Sequence, residues 1–97
     1  MSDHRALVEQ YLGTEFPNAS IMETPDRERF HGHCWSIQQG DRIMVLHVSQ
    51  EFLTAQSEYE ARAQLNNFNP AKALRGSAGR GVILSRNGVR YDPETPV

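Results

Sequence analysis

Apolar and polar residues alternate along residues 29–48, and this alternation predicts a β-hairpin around Gln39-Gly40-Asp41. Two turn positions fit the pattern. If the turn is centred on Gly40-Asp41, Cys34 lies directly opposite His47, and if it is centred on Gln39-Gly40, the two are diagonal neighbours. Either position assigns the same side chains to the two faces of the hairpin. One face holds Trp35, Ile37, Met44, Leu46 and Val48, and the other holds Cys34, Ser36, Ile43, Val45 and His47.

The segment before the hairpin is predicted to form a helix and a short strand. Ser2 or Asp3 is suited to cap the helix, and Gly13 is placed to end it in the left-handed conformation. The strand covers residues 19–24. Pro25 ends it, because proline cannot donate to a sheet ladder.

Two more helices are predicted after the hairpin. Ser49 can cap the first, which runs over residues 50–65. Its apolar stripe recurs at spacings of three and four residues and consists of Phe52, Ala55, Tyr59 and Ala63. Asn69-Pro70 starts the second, since proline is tolerated at the first helical position, and Gly76 stops it after Arg75.

The rest of the chain is predicted to form a loop and a second hairpin. Residues 76–81 are rich in glycine and read as a flexible loop, followed by an apolar strand over residues 82–85. Asn87-Gly88 favours a type I′ turn, with the returning strand at residues 89–91. Residues 92–97 are expected to be a flexible tail.

These elements predict one α+β domain over residues 1–97. The order is α-β-β-β-α-α-β-β, with a mostly antiparallel sheet of about five strands and helices packed on one face. The Trp35 face of the central hairpin is the more apolar one, so we expect the helices to cover that face.

Composition adds limits on location. The chain has 97 residues, 38% of them hydrophobic, which is ordinary for one small globular domain. The longest apolar run, residues 43–46, is far short of a bilayer span, and the N-terminus lacks the apolar core of a signal peptide. We therefore expect no membrane partner. A single Cys favours a reducing, cytoplasmic setting.

Charge is distributed unevenly along the chain, and this asymmetry indicates a possible binding region. Residues 1–68 carry five basic and ten acidic residues, whereas residues 69–97 carry five basic residues against Asp92 and Glu94. A glycine-rich loop can also bind anions through its backbone N–H groups. The candidate site for nucleic acid or another anionic partner is therefore Lys72, Arg75, Gly76, Gly79, Arg80, Arg86 and Arg90. The alternative is a plain connector beside an ordinary solvated surface.

Two groups of residues that include histidine are candidate reactive centres. Cys34 beside His47 can form a thiolate–imidazolium pair, although no orienting third group is evident. His31 and His33 share a face of their strand and can chelate a metal together, but Cys34 and His47 point to the opposite face. Structural roles are favoured for all of these residues, so we expect no catalytic residue, metal or other cofactor.

The leading hypothesis is thus a small cytoplasmic binding module whose basic C-terminal third contacts nucleic acid, phosphate or another anionic partner. The alternative is a protein–protein adaptor or homodimer that uses a sheet edge or the face carrying Cys34, Ile43 and Val45. An enzyme with Cys34 as nucleophile is the third hypothesis, and it is the least favoured.

Overall fold

The computed structural model describes residues 4–26, 32–54, 56–77 and 80–91. The helices are α1 (Arg5–Glu15), α2 (Gln50–Thr54), α3 (Glu58–Phe68) and α4 (Pro70–Arg75). The strands are β1 (Ser20–Asp26), β2 (Gly32–Gln39), β3 (Arg42–Val48), β4 (Val82–Ser85) and β5 (Gly88–Tyr91). The predicted tail at residues 92–97 lies outside the described residues.

The strands form one sheet in the order β1-β2-β3-β4-β5. Three of the four pairings are antiparallel, and β3 pairs with β4 in parallel. Parallel neighbours cannot be joined by a tight turn, so the chain crosses from β3 to β4 through α2, α3 and α4. The predicted α+β class and its mostly antiparallel sheet are confirmed.

The central hairpin adopts the first of the two predicted registers. Gln39 pairs with Arg42, so the turn is Gly40-Asp41, and Cys34 lies opposite His47. Gly40 has a φ of 62°, a conformation that glycine tolerates without a steric penalty.

The helices cover the Trp35 face of the sheet, as predicted. Trp35 is fully buried, and the rest of that face packs with it against residues of all four helices. The buried cluster comprises Leu7, Val8, Leu12, Phe16, Trp35, Ile37, Met44, Leu46, Val48, Phe52, Leu53, Ala61, Leu65, Ala71, Leu74, Val82 and Leu84. Burial of one apolar face against helices is therefore what holds the two layers together.

The first helix does not end at Gly13, as its sequence suggested. It continues to Glu15, and Gly13 lies inside it without a left-handed φ. Phe16 follows as a buried core residue, so tertiary packing extends the helix beyond the glycine. His4 precedes α1 and makes no side-chain cap hydrogen bond, while Ser2 and Asp3 lie outside the described residues.

The helix predicted over residues 50–65 is divided into α2 and α3. Ser57 caps α3, because its hydroxyl accepts from the Glu60 N–H and the Glu60 carboxylate accepts from the Ser57 N–H. This capping box starts a new helix where the apolar spacing alone suggested a continuous one. Ala55, part of the predicted stripe, lies outside the described residues. Tyr59, another part of it, is 83% exposed.

Two strand boundaries also differ from the prediction. β1 extends to Asp26, past Pro25, which is compatible with its place at the edge of the sheet. In the second hairpin Ser85 pairs with Gly88, so the turn is Arg86-Asn87 and not Asn87-Gly88. A type I′ turn needs a positive φ at both central residues. Among the described residues that are not glycine, only Asn69 has a positive φ, so the type I′ prediction is wrong.

Two glycines should respond oppositely to substitution by alanine. Gly13 is exposed within α1, and a Cβ there meets nothing within 4 Å, so Gly13→Ala should raise the free energy of unfolding by about 0.5–1 kcal/mol. A Cβ on Gly32 would lie 1.9 Å from the Val48 carbonyl oxygen, where the chain leaves β3 for α2. Gly32→Ala should therefore destabilise the protein. Urea denaturation of both variants checks this, and equal effects would contradict the described geometry.

Candidate functional site

A groove of about 440 Å³ lies between the helix layer and the last strand, β5. We call it the α4–β5 groove. Its lining combines apolar walls with a few polar groups and consists of Phe68, Asn69, Lys72, Ala73, Gly76, Val89 and Tyr91. A concave apolar site with a few polar groups is the usual form of a binding site.

The strand wall of the groove follows from the alternation of β5. Val89 pairs with Leu84, and Tyr91 pairs with Val82. Val82 and Leu84 belong to the buried core, so Val89 and Tyr91 face the helices. Gly76 forms the opposite edge, where a Cβ would lie 3.4 Å from the Tyr91 hydroxyl oxygen.

The helix wall is held in place by Tyr11. Its hydroxyl donates to Asn69 Oδ1 at 2.8 Å and accepts from the Ala71 N–H at 3.2 Å. Asn69 joins α3 to α4 in the left-handed conformation, with a φ of 47°. Tyr11 thus ties α1 to the junction that orients α4, and burial raises the pKa of its phenol.

Two arginines fasten the far end of α4. Arg42 donates to the carbonyl oxygens of Leu74 and Arg75 in the last turn of α4. Arg75 donates to the Glu15 carbonyl oxygen at 3.0 Å, and its guanidinium lies 5.0 Å from the centre of the Phe16 ring. Cations at this end also complement the helix dipole.

The predicted anion-site residues are divided between different surfaces. Lys72 and Gly76 line the groove, whereas Arg75 contacts Glu15 on the side of α1. Arg90 pairs with Ile83, and its side chain therefore lies on the sheet face opposite the helices.

The remaining predicted residues flank β4. Arg80 precedes this strand and Arg86 follows it, so about 13 Å of strand separates them, at roughly 3.3 Å per residue. Both are exposed. Gly79 lies outside the described residues. The six described residues are thus distributed around α4, β4 and β5 and do not form one patch.

The described amides of the glycine-rich segment donate within the protein. Gly76 N–H donates to Lys72, Ser77 N–H to Leu74, and Arg80 N–H to Ser77. Ser77 is 1% exposed, and its hydroxyl donates to the Leu74 carbonyl oxygen at 2.8 Å. An anion near these three amides would therefore have to be bound by side chains.

The segment that builds the groove carries charges of one sign. Residues 61–91 contain six Arg or Lys residues and no Asp or Glu, and they supply most of α3 and all of α4, β4 and β5. A cleft of about 330 Å³ between α1 and α3 differs, because Glu15 lines it together with Arg62.

Sequence reasoning found the basic segment but missed the walls at Phe68, Val89 and Tyr91, which only the packing of α4 against β5 brings together.

The sheet face away from the helices carries the other candidate residues. Register places Met22, Ser36 and Val45 in one row, and Thr24, Cys34, His47, Ile83 and Arg90 in the next. Ile43 lies on the same face. We call this the open face. Met22 is 67% exposed and Ile43 is 56% exposed, whereas Ile83 is buried.

The proposed metal ligands are separated as expected. His33 lies on the helix side, with its Nδ1 2.8 Å from Glu23 Oε2, while Cys34 and His47 lie on the open face. His31 is outside the described residues. Within the described residues, no three His, Cys, Asp or Glu side chains are grouped as a metal ion would need.

Comparisons with protein-family models, curated proteins and solved structures gave no match. Of the helices in the described part of the chain, none is long and apolar enough to cross a membrane.

Replacement of Tyr11 by Phe should lower the free energy of unfolding by about 1–2 kcal/mol at neutral pH, because the half-buried Asn69 side chain and the Ala71 N–H each lose a hydrogen bond. The folded pKa of Tyr11 lies above the unfolded value of 10.0, so its contribution to stability is full below that value. This contribution is lost as pH rises through the folded pKa. The difference between wild type and Tyr11→Phe should therefore narrow at high pH in urea denaturation. Tyr59→Phe, at an exposed position, is the control, and a constant difference for Tyr11→Phe would contradict the assignment.

Proposed function

We propose that the protein is a small binding module whose α4–β5 groove receives an anionic partner. The observation that carries the proposal is that an apolar groove with Lys72 at its rim is built from a segment that has cations and no acids. A local positive field attracts anions even though the whole chain has a net charge of −2.

The groove can bind a specific partner with few cations, because other groups in its lining add contacts. Lys72 supplies a charged donor, and Asn69 and Tyr91 add polar groups beside the apolar walls of Phe68, Ala73 and Val89. The apolar part contributes burial and the cation contributes orientation. Arg80, Arg86 and Arg90 add to the positive field from outside the groove. A cytoplasmic setting belongs to this proposal and is supported by the single Cys.

Neutralising Lys72 should weaken anion binding, because the variant removes the cation at the groove rim. Lys72→Gln should reduce the affinity for a short oligoglutamate or oligothymidylate by about fivefold at low salt. Titration of isotope-labelled protein, followed by backbone amide shifts, measures both the affinity and the place of binding. Shifts should centre on residues 68–76 and 88–91 and fall with added salt.

Arg62→Gln is the matched control, since it removes the same charge from the same basic segment. Arg62 lies 3.5 Å from Glu58 on α3 and lines no part of the groove. Equal losses for the two variants would show a general charge effect and reject the groove. Absence of any anion-dependent shift would reject the function.

A second candidate function is self-association through the open face. Met22 and Ile43 are exposed there, at 67% and 56%. Exposed apolar side chains on one sheet face favour association with a second surface.

Ile43→Lys should abolish self-association if the open face forms the interface. Sedimentation at high concentration should show a dimer for wild type and a monomer for Ile43→Lys, because the buried charge would lack a partner. Tyr59→Lys is the control, since Tyr59 is 83% exposed on the helix layer. A wild-type monomer at all concentrations would remove this candidate.

A further inference from the structure

We propose that the anionic partner is an extended acidic polypeptide that pairs with β5 as an added strand. This inference rests on the proposed function, and it identifies the partner class and the way in which it binds. β5 is at one end of the strand order, and its inner side pairs with β4 from Ser85↔Gly88 to Val82↔Tyr91.

The outer side of β5 offers what an added strand needs. No strand of the described chain lies beyond it, and alternate residues of an edge strand direct N–H and C=O groups outward. The opposite edge is less suitable, because β1 contains Pro25, which has no N–H. Four residues of β5 span about 13 Å, so the backbone contacts are few. Side-chain contacts must therefore supply much of the affinity.

The surroundings of β5 supply these contacts on both sides. An added strand would direct alternate side chains towards the α4–β5 groove, where Phe68, Ala73 and Val89 accept apolar groups. The other side chains would point towards the open face. A second depression, of about 320 Å³, lies at the β4–β5 turn and is lined in part by Val89 and Arg90.

Charge selects an acidic peptide. Lys72 is on the groove side of β5, and Arg90 is on the open face. Alternate side chains of an added strand would therefore meet a cation on either side. A peptide with acidic residues on both faces and an apolar residue towards the groove would match these contacts, whereas Lys72 and Arg90 would repel a basic peptide.

Two other occupants fit less well. A second copy of β5 that continued the sheet with its helices on the same side would place two Arg90 side chains on one face, and like charges close together destabilise a strand pair. Phosphate groups of a nucleic acid accept hydrogen bonds but cannot donate to the outward carbonyl oxygens of β5. Stacking of bases would need several exposed aromatic residues, and on β5 Tyr91 alone is aromatic, at 41% exposure.

The test compares two peptides of equal charge on the full chain. One has the sequence Glu-Glu-Val-Glu-Val-Glu-Glu, which places acidic residues on both faces and Val on one of them, and the other has the same sequence with alternate backbone amides N-methylated. Methylation removes the N–H donors of the ladder and keeps the charge and the side chains. Fluorescence anisotropy with labelled peptides and amide shifts at β5 are the readouts, with a short oligothymidylate as the nucleic-acid probe.

We expect the unmodified peptide to bind at least tenfold more tightly than the methylated one, with new inter-strand contacts to residues 88–91. Lys72→Gln should weaken this binding and Arg62→Gln should not. Ala73→Leu, which partly fills the groove, should also weaken peptide binding. Its amide spectrum must match that of the wild type, which shows that the fold is unchanged.

The failures separate the two proposals. Equal affinities for both peptides, still dependent on Lys72, would overturn strand addition and leave the anion-binding function intact. Binding of oligothymidylate without binding of the peptide would do the same. If no anionic probe shifts the groove residues, the proposed function fails, and the inference fails with it.

Discussion

β3 and β4 run side by side in parallel, and this pairing governs where the helices lie. A parallel pair needs a crossover, and the segment between Val48 and Val82 supplies it as α2, α3 and α4. All three helices lie on the Trp35 face, where the apolar side chains of β2, β3 and β4 need cover. The same crossover brings α4 beside β5. The core and the groove thus have one origin.

The groove keeps its shape because α4 is fastened from several directions. A helix of six residues is too short to be stable alone. Tyr11 holds its beginning from α1, Arg42 holds its end from β3, and Ala71 and Leu74 bury its inner face. Arg42 and Arg75 both make structural contacts with backbone carbonyl oxygens. Lys72 remains at the groove rim, where no such anchoring contact is described.

The two sides of the sheet favour different partners, because one has a groove with cations and the other exposes apolar side chains. The helix side combines an apolar groove with cations, which suits an anionic polymer of defined shape. The open face presents Met22 and Ile43, which suit an uncharged protein surface. Cys34 and His47 lie opposite each other on this face. Binding is therefore the function that we propose for both surfaces.

Local patterns predicted the fold class, the central hairpin faces and the place of α4, because alternation, helical spacing, Asn69-Pro70 and Gly76 act within a few residues. They failed where neighbours in space outweigh local preference. Packing carried α1 past Gly13, and the second turn began at Arg86. The division of the long helix has a local cause, the capping box between Ser57 and Glu60, which the spacing of apolar residues did not include. The basic composition of the last third was visible in the sequence. Whether Lys72, Arg75 and Arg90 share a surface depended on strand register and on the α4 contacts, which join residues far apart in the chain. Three-dimensional packing therefore separated them, since side chains that are close in sequence can point to opposite faces of a sheet.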